Sequence, residues 1–367
     1  MKATARLHEL GQSLWLDNIT RPMLAEGVLQ GYIDELAVTG LTSNPTIFDK
    51  AISAGDAYDA HIAELGDAAE SDEGIGENGD EKVFFELAIA DLRDATDLFA
   101  GIHERTDGVD GWASLEVSPL LADDAAATIA QAARLHAKAE RDNLFIKIPG
   151  TEAGLTAIEE TIFAGVPVNV TLLFDDKQYL AAAAAYMKGI ERRIEAGLDP
   201  NVGSVASIFV SRWDVAVADD VPAELKNRLG IAVGGRAFRA YHELLQSDRW
   251  QRLLNEGARA QRLLWASTGT KDPDASDTMY VEALAAPFTV NTMPEPTLVA
   301  FSQHGEVGNL MSPDGGNAEQ VLKEFAEAGI DVAALAARLQ EEGKASFVKS
   351  WEELLSSIAS KRGVVTG

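Results

Sequence analysis

Leu144-Phe145-Ile146-Lys147-Ile148-Pro149 is a short run of bulky apolar residues interrupted by one lysine. Its length and composition predict a strand covered on both faces, as in a parallel sheet. A lysine in such a strand cannot simply lean into water. Burial penalises the ammonium, so its pKa is expected to fall and a neutral amine to become available. A neutral amine is a nucleophile that can form a Schiff base with a carbonyl compound. The plainer reading of this strand alone is an edge-strand lysine that blocks aggregation.

Working outward, seven further short apolar runs resemble this one: Ser13–Leu16, Gly40–Thr42, Ala113–Val117, Val168–Leu172, Val205–Val210, Leu263–Ala266 and Phe288–Asn291. Helical patterns separate several of them. Thr20 and Pro22 open a helix with Leu24, Val28, Tyr32 and Leu36 on one face, and Gly40 follows its end. Thr151 is placed to cap a helix that turns Leu155, Ile158 and Ile162 inward. Asp175 or Asp176 starts a longer one running towards Gly197. Eight strands interleaved with helices predict a (β/α)8 TIM barrel, with an open doubly wound sheet as the competing arrangement. No Gly-x-Gly-x-x-Gly follows the first run, which removes the usual dinucleotide argument.

The whole chain, residues 1–367, reads as one barrel domain. Residues 66–82 carry seven acidic side chains and several glycines, and are expected to form an exposed loop in the second βα connection. After Thr-Met-Pro-Glu-Pro the pattern turns helical, so residues 294–367 are expected to be a helical extension packed on the barrel. Its helices are expected at Val321–Ala328, Val332–Leu339 and Phe347–Ile358.

Composition narrows the function. The 58 acidic residues against 31 basic ones give a net charge of -27, which disfavours nucleic acid and anionic membranes as partners. There is no cysteine, so disulfides and cysteine-based chemistry are excluded. The amino terminus lacks an apolar secretory core and no stretch is long enough to span a bilayer, which makes a cytoplasmic location the expectation. Either a monomer or a homodimer is compatible with the sequence.

Barrel active sites lie at the carboxyl ends of the strands. There the chain offers Asp17, Asn44, Glu116, Lys147, Asn169 with Thr171, Ser207 with Phe209 and Arg212, and Lys271. Each has a plain structural role open to it. Asp17 can cap a turn, Asn44 before Pro45 is a common turn pair, Thr171 is a good strand former, and Arg212 and Lys271 can be surface charges. Glu116 is harder to dismiss, because it lies inside an apolar strand where carboxylates are seldom left unpaired. Asn169 and Thr171 are two apart and share a face. Several strands offering polar groups at comparable depth are hard to explain by packing. Lys147 beside Glu116 gives a nucleophile and a proton shuttle, Asp17 a second acid or base, and Arg212 with Lys271 a phosphate grip.

With these residues assembled, the sequence resembles the transaldolase family, class I Schiff-base sugar-phosphate transferases of the longer bacterial type. The matching segments, in order, are Leu14-Trp15-Leu16-Asp17, Thr42-Ser43-Asn44-Pro45-Thr46, Ser114-Leu115-Glu116-Val117, Ile146-Lys147-Ile148-Pro149, Asn169-Val170-Thr171-Leu172-Leu173-Phe174 and Ser207-Ile208-Phe209-Val210-Ser211-Arg212. The resemblance implies that Lys147 forms the Schiff base. It implies that Glu116 shuttles protons through a water held near Thr171, and that Asp17 takes the proton of the C4 hydroxyl. It also implies that Asn44, Asn169 and Ser207 bind the dihydroxyacetone unit, that Phe209 walls the pocket, and that Arg212 holds phosphate. The seventh-strand phosphate ligand is an arginine in many family members. Here the stretch is Ser267-Thr268-Gly269-Thr270-Lys271, and a lysine supplies a point charge rather than a bidentate fork. The reaction implied moves a dihydroxyacetone unit from sedoheptulose 7-phosphate to glyceraldehyde 3-phosphate, giving erythrose 4-phosphate and fructose 6-phosphate in the pentose phosphate pathway. No cofactor is implied.

Three other readings compete. A fructose 6-phosphate aldolase shares the chemistry but releases free dihydroxyacetone, and such chains are shorter. A metal-dependent barrel lyase would use Asp17 and Glu116 as ligands and would lose activity to a chelator. A non-catalytic sugar-phosphate binder would keep Arg212 without needing Lys147 beside Glu116. The six histidines, at positions 8, 61, 103, 136, 242 and 304, are expected on helix or loop surfaces away from the strand ends.

Overall fold

The computed structural model describes residues 1–66 and 74–365. Eight parallel strands alternate with helices: β1 Ser13–Leu16, β2 Val38–Leu41, β3 Ala113–Glu116, β4 Leu144–Pro149, β5 Val168–Leu173, β6 Ser204–Phe209, β7 Arg262–Ala266 and β8 Val290–Met293. The sheet order is β2-β1-β8-β7-β6-β5-β4-β3. The remaining seam, between β2 and β3, is joined by a bridge from Gly40 to Trp112. There the Leu41 N–H donates to the Trp112 carbonyl at 2.9 Å and the Gly111 N–H to the Thr39 carbonyl at 2.9 Å. The sheet therefore closes as a (β/α)8 barrel, and the open-sheet alternative is set aside.

Gly40 has a different role from the one expected. The helix preceding β2 ends at Leu36, with Ala37 taking the left-handed cap position (φ 57°), while Gly40 lies inside β2. A Cβ there would come within 2.7 Å of both the Trp112 carbonyl and the Trp15 ring, so the seam needs a glycine. The helical pattern from Thr20 to Leu36 is also two helices rather than one. Thr20 caps Arg21–Ala25, Gly27 turns at φ 74°, and Val28–Leu36 follows. Thr151 and Asp175 cap the helices Glu152–Phe163 and Asp176–Glu195 as the sequence predicts.

Strand alternation sorts the side chains into two layers. In β4, Leu144, Ile146 and Ile148 pack against the helices, as do Leu115 of β3, Val168 and Val170 of β5, and Ala206 and Ile208 of β6. The intervening residues fill the barrel. Trp15, Trp112, Phe145, Val205, Leu264 and Val290 form an apolar plug, with Trp112 stacked on Phe145 at 4.0 Å between centroids. Above that plug the inward positions turn polar: Ser114, Glu116, Lys147, Asn169, Thr171 and Ser207 are all buried.

Further boundaries differ from the sequence reading. The last strand is Val290–Met293, displaced from the expected 288–291, and Phe288 is left 71% exposed at φ 59°. Of the acidic stretch, residues 67–73 lie outside the described residues, residues 74–78 are irregular, and the helix Gly79–Arg105 then begins inside the expected loop. Glu81 in that stretch is buried, accepting the Glu77 N–H at 2.5 Å and the Ser118 hydroxyl at 3.3 Å. The two expected tail helices at 332–339 and 347–358 are one continuous helix, Val332–Val365, preceded by Glu295–His304 and Ala318–Glu327. No described helix is long and apolar enough to cross a membrane.

Candidate active site

Lys147 points from β4 into the barrel directly above the apolar plug and is 5% exposed. Its Nζ donates to Glu116 Oε2 at 3.0 Å and to the Ser43 carbonyl at 3.3 Å. The strand register sets Glu116 of β3 opposite Lys147, so the pair is fixed by backbone pairing and not by a flexible loop. The edge-strand alternative for Lys147 fails, because β4 is hydrogen-bonded on both sides, to β3 and β5. Burial pushes the Glu116 carboxyl above its ordinary value, against the opposing pull of Lys147.

The next strand adds Asn169, opposite Lys147 in register, and Thr171 two residues on. Asn169 accepts the Ser207 hydroxyl at 2.7 Å and donates to Ser114 Oγ at 3.1 Å, which links β3, β5 and β6 behind the lysine. Thr171 Oγ1 is buried with no partner among the described residues, which suits it to bind a water or substrate atom. Around Thr171 the register with β6 shifts, between Val170 and Leu173, and Leu172 adopts a left-handed φ of 58°. Ser267, after β7, does so too at φ 56°. Backbone strain of this kind gathers at functional sites.

Asp17 follows β1 on the wall of the same cavity. It accepts the Thr42 hydroxyl at 2.7 Å, and Thr42 Oγ1 lies 2.7 Å from Thr292 Oγ1. Burial raises the Asp17 carboxyl above its ordinary value, with Lys147, Thr42 and Lys271 pulling the other way. Asn44 has both roles open to it: its Oδ1 caps the helix Pro45–Ser53 through the Ile47 N–H at 3.1 Å, and the residue lines the cavity.

These groups surround a cavity of about 380 Å3 at the carboxyl ends of the strands. Of the ten residues singled out by sequence, Asp17, Asn44, Lys147, Thr171, Ser207, Phe209, Arg212 and Lys271 line it. Glu116 and Asn169 stand one layer behind, each bonded to a residue on the wall. Arg212 lies over the Phe209 ring with Cζ 5.0 Å from the centroid, and burial lowers its pKa. Lys271 is exposed at the rim.

Sequence reasoning missed four contributors. Thr42 and Thr292 hold and flank Asp17, and the hydroxyl of Thr42 stood in a segment already noted. Lys50 brings a fourth basic side chain to the wall, beside Lys147, Arg212 and Lys271, from the helix after β2; it is an exposed helical lysine that nothing in the sequence marks out. Phe347 comes from the C-terminal helix.

A larger cavity, about 430 Å3, opens elsewhere, lined by His103, His136, Asp142 and Arg259. It touches Gly165 and Gly203, which precede β5 and β6, and so lies at the opposite end of the barrel from Lys147. Chemistry and not size distinguishes the two. Among the described residues no three His, Asp or Glu side chains gather in a way that could hold a metal. Of the histidines, His8 and His304 are exposed, whereas the other four are half-buried, none of them lining the cavity above Lys147.

A buried lysine–carboxylate pair, a second carboxylate with a raised pKa and a cationic rim, all at the carboxyl ends of a closed barrel, define a (β/α)8-barrel enzyme. Residues 14–358 match the profile described as Transaldolase/Fructose-6-phosphate aldolase. The chain is 43% identical to "Transaldolase" of Mycolicibacterium paratuberculosis, over 98% of this chain and 97% of that protein. It is 45% identical to "Transaldolase" of Kocuria rhizophila, over 97% of each, and 39% identical to "Transaldolase 2" of Nostoc sp., over 97% and 96%. The chain belongs to the transaldolase/fructose-6-phosphate aldolase family.

Proposed function

We propose that this enzyme is a transaldolase working through a Schiff base on Lys147, with sedoheptulose 7-phosphate and glyceraldehyde 3-phosphate as substrates and erythrose 4-phosphate and fructose 6-phosphate as products. The observation that carries the reading is the buried contact of 3.0 Å between Lys147 Nζ and Glu116. A carboxylate whose pKa is raised by burial is a better proton acceptor, so Glu116 can take a proton from Lys147 and leave an amine to attack the ketone. The same proton then leaves with the carbinolamine hydroxyl as water, forming the iminium. A water held by the Thr171 hydroxyl, which has no partner among the described residues, suits this transfer.

Asp17, its carboxylate likewise strengthened as a base by burial, removes the C4 hydroxyl proton. The C3–C4 bond then breaks, its electrons pass into the iminium, and an aldose phosphate departs. The carbanion–enamine stays on Lys147 until a second aldose phosphate accepts it. Asn44, Asn169 and Ser207 suit the hydroxyls of the three-carbon unit, and Phe209 walls it. Arg212, with Lys271 at the rim, suits a phosphate against an otherwise strongly acidic surface. A role in the pentose phosphate pathway, in a cytoplasmic protein, accords with this reaction.

Borohydride reduction with fructose 6-phosphate, followed by peptide mass mapping, tests the reading. A dihydroxyacetone-derived adduct is expected on the peptide holding Lys147, and none in Lys147→Ala. Active protein that forms no adduct would overturn the Schiff base. Two substrates alternating at one lysine predict parallel lines in a double-reciprocal plot, and intersecting lines would count against it. If fructose 6-phosphate is turned over as fast without erythrose 4-phosphate as with it, the enzyme is an aldolase instead.

A further inference from the structure

Phe347 belongs to a helix that starts far from the site in sequence, yet among the described residues it is the one side chain of that helix, Val332–Val365, that lines the cavity. It is 5% exposed. Its ring centroid lies 5.5 Å from Lys147 Nζ and 5.7 Å from Arg212 Cζ, so one ring is in cation–π contact with both side chains. It also meets Phe209 edge-on, with centroids 6.4 Å apart at 62°.

The helix carrying it is tied to the barrel mouth on both sides of Phe347. Gln340 Nε2 donates to the carbonyls of Leu172 at 2.9 Å and Gly150 at 3.1 Å, which follow the reacting positions of β5 and β4. Gly343 passes so close to Leu172 and Arg212 that a Cβ would stand 2.9 Å and 3.2 Å from them. Lys344 pairs with Asp123 at 3.1 Å. On the far side the Thr46 hydroxyl donates to Ser350 at 2.8 Å, Asp49 accepts the Ser357 hydroxyl at 2.8 Å, and Trp351 packs edge-on against Phe84 at 5.0 Å. Polar ties flanking a single inserted ring are what a clamped cover needs. A helix held by apolar packing alone would not have to read particular carbonyls at the mouth.

We propose that Phe347 is a positioning residue of the active site, holding Lys147 and Arg212 under an apolar face and keeping water from the covalent intermediate. The inference rests on the Schiff-base reading above. Compared with the resting ammonium, the iminium nitrogen has fewer hydrogens to donate to Glu116 and Ser43 but carries the same positive charge. A ring face over that charge compensates without bringing in a water molecule. Once the C3–C4 bond has broken, the enamine carbon can either attack an aldose phosphate or take a proton from water. In the second case water then adds to the resulting iminium, the C–N bond breaks, and free dihydroxyacetone and the Lys147 amine are regenerated. Phe347 biases this choice towards transfer by occupying the space a water would need.

The test measures two rates in one preparation: release of free dihydroxyacetone from fructose 6-phosphate alone, and transfer to erythrose 4-phosphate. The variants are Phe347→Leu, which keeps the volume apolar, and Phe347→Ala, with thermal unfolding recorded for each. In Phe347→Leu the ratio of release to transfer is expected to rise on the order of tenfold, the size of one desolvated cation–π contact. A larger rise is expected in Phe347→Ala. An unchanged ratio in folded Phe347→Leu, from a wild type that does form the Lys147 adduct, overturns this inference and leaves the Schiff base standing. A wild type that turns over without forming the adduct overturns both. A purely structural role would lower both rates together through the folded fraction and leave the ratio where it was.

Discussion

Below the aromatic plug, at the amino ends of the strands, the buried Asp110 is met on every side. It accepts the Ser13 hydroxyl at 2.5 Å and Trp15 Nε1 at 2.8 Å, and Arg262 stands 3.8 Å away while donating to Ser13 at 2.8 Å. Above the plug, Asp17 has one hydroxyl, Glu116 one ammonium, and Thr171 Oγ1 no partner among the described residues. Two neighbouring stretches of backbone there, at Leu172 and Ser267, are held at left-handed φ. At the floor the buried carboxylate is fully partnered, although the Gln12 and Gln261 side-chain oxygens near it are not, whereas the mouth leaves its carboxylates with single partners and charged against burial. The same scaffold thus separates stability from chemistry, with the floor giving rigidity and the mouth holding poised groups. Substitutions at the two ends should fail in different ways.

The largest effect is expected at the mouth. Lys147→Ala should lower kcat by on the order of ten-thousandfold or more, since the covalent route is lost altogether. A variant retaining more than a hundredth of wild-type transfer would remove the contrast between the two ends. At the floor, Asp110→Ala should cost about 2–5 kcal/mol of stability, because the buried Ser13 hydroxyl and Trp15 Nε1 lose their acceptor and the part-buried Arg262 loses its nearest carboxylate. Its kcat per folded molecule should stay near that of the wild type, and denaturant unfolding alongside active-site titration would show both.

Asp17→Asn combines the two behaviours with a smaller rate effect, about a hundredfold or more in kcat for loss of a general base. Because burial raises the Asp17 pKa above its ordinary 3.8, the wild-type rate should fall as pH drops through that raised value, giving an acid limb above the usual carboxylate range. The stability sign is opposite to that of a salt-bridged carboxylate. The folded chain holds the Asp17 proton more tightly than the unfolded chain, so this group costs stability as pH rises from its unfolded to its folded pKa. Asp17→Asn escapes that cost. It should melt about 1–3 °C above the wild type at neutral pH, with the gap closing in acid below the ordinary carboxylate pKa. A variant that melts lower at neutral pH would show that Asp17 is not under the burial penalty.

The mouth was the more legible end in the sequence, for a physical reason. Lys147 and Glu116 stand inside apolar strands, so each is a local anomaly that a short window exposes. Asn169 and Thr171 follow from alternation once the strand is placed. Asp110 lies between a helix and a strand among Thr, Gly and Asp residues, where an acid reads as turn chemistry, and its partners are 97 and 95 residues away. Phe347 was invisible for a related reason. The buried positions Leu335, Leu339, Phe347, Trp351, Leu354 and Ile358 repeat as an amphipathic helix does, whether that face covers a neighbouring helix or a catalytic lysine. The polar stretch around Gly343 looked like a break between two helices. In the fold it is continuous, and polar because Gln340 and Lys344 bind the barrel mouth. Positive φ at Ala37, Leu172, Ser267 and Phe288 has no signature in those residue types and could not have been read beforehand.

The smallest effect we expect is also the most discriminating, at Gly343→Ala. Two terms oppose each other. Replacing a glycine in a helix interior gains about 1 kcal/mol. The added Cβ would stand 2.9 Å from Leu172 Cδ2 and 3.2 Å from Arg212 Nη1, and overpacking of this kind typically costs about 1–3 kcal/mol. Both clashing atoms are the far ends of flexible side chains, so the lower part of that range applies and the net change should stay within about 1 kcal/mol. The atoms that move, however, belong to the mouth. Leu172 is buried beside Thr171 on a strained backbone, and Arg212 is the guanidinium proposed to hold phosphate. Displacing Arg212 by a few tenths of an ångström should raise KM for phosphorylated substrates severalfold while leaving kcat and the melting temperature close to wild type. Were the C-terminal helix only a structural cover, the same substitution would move the melting temperature and leave KM alone.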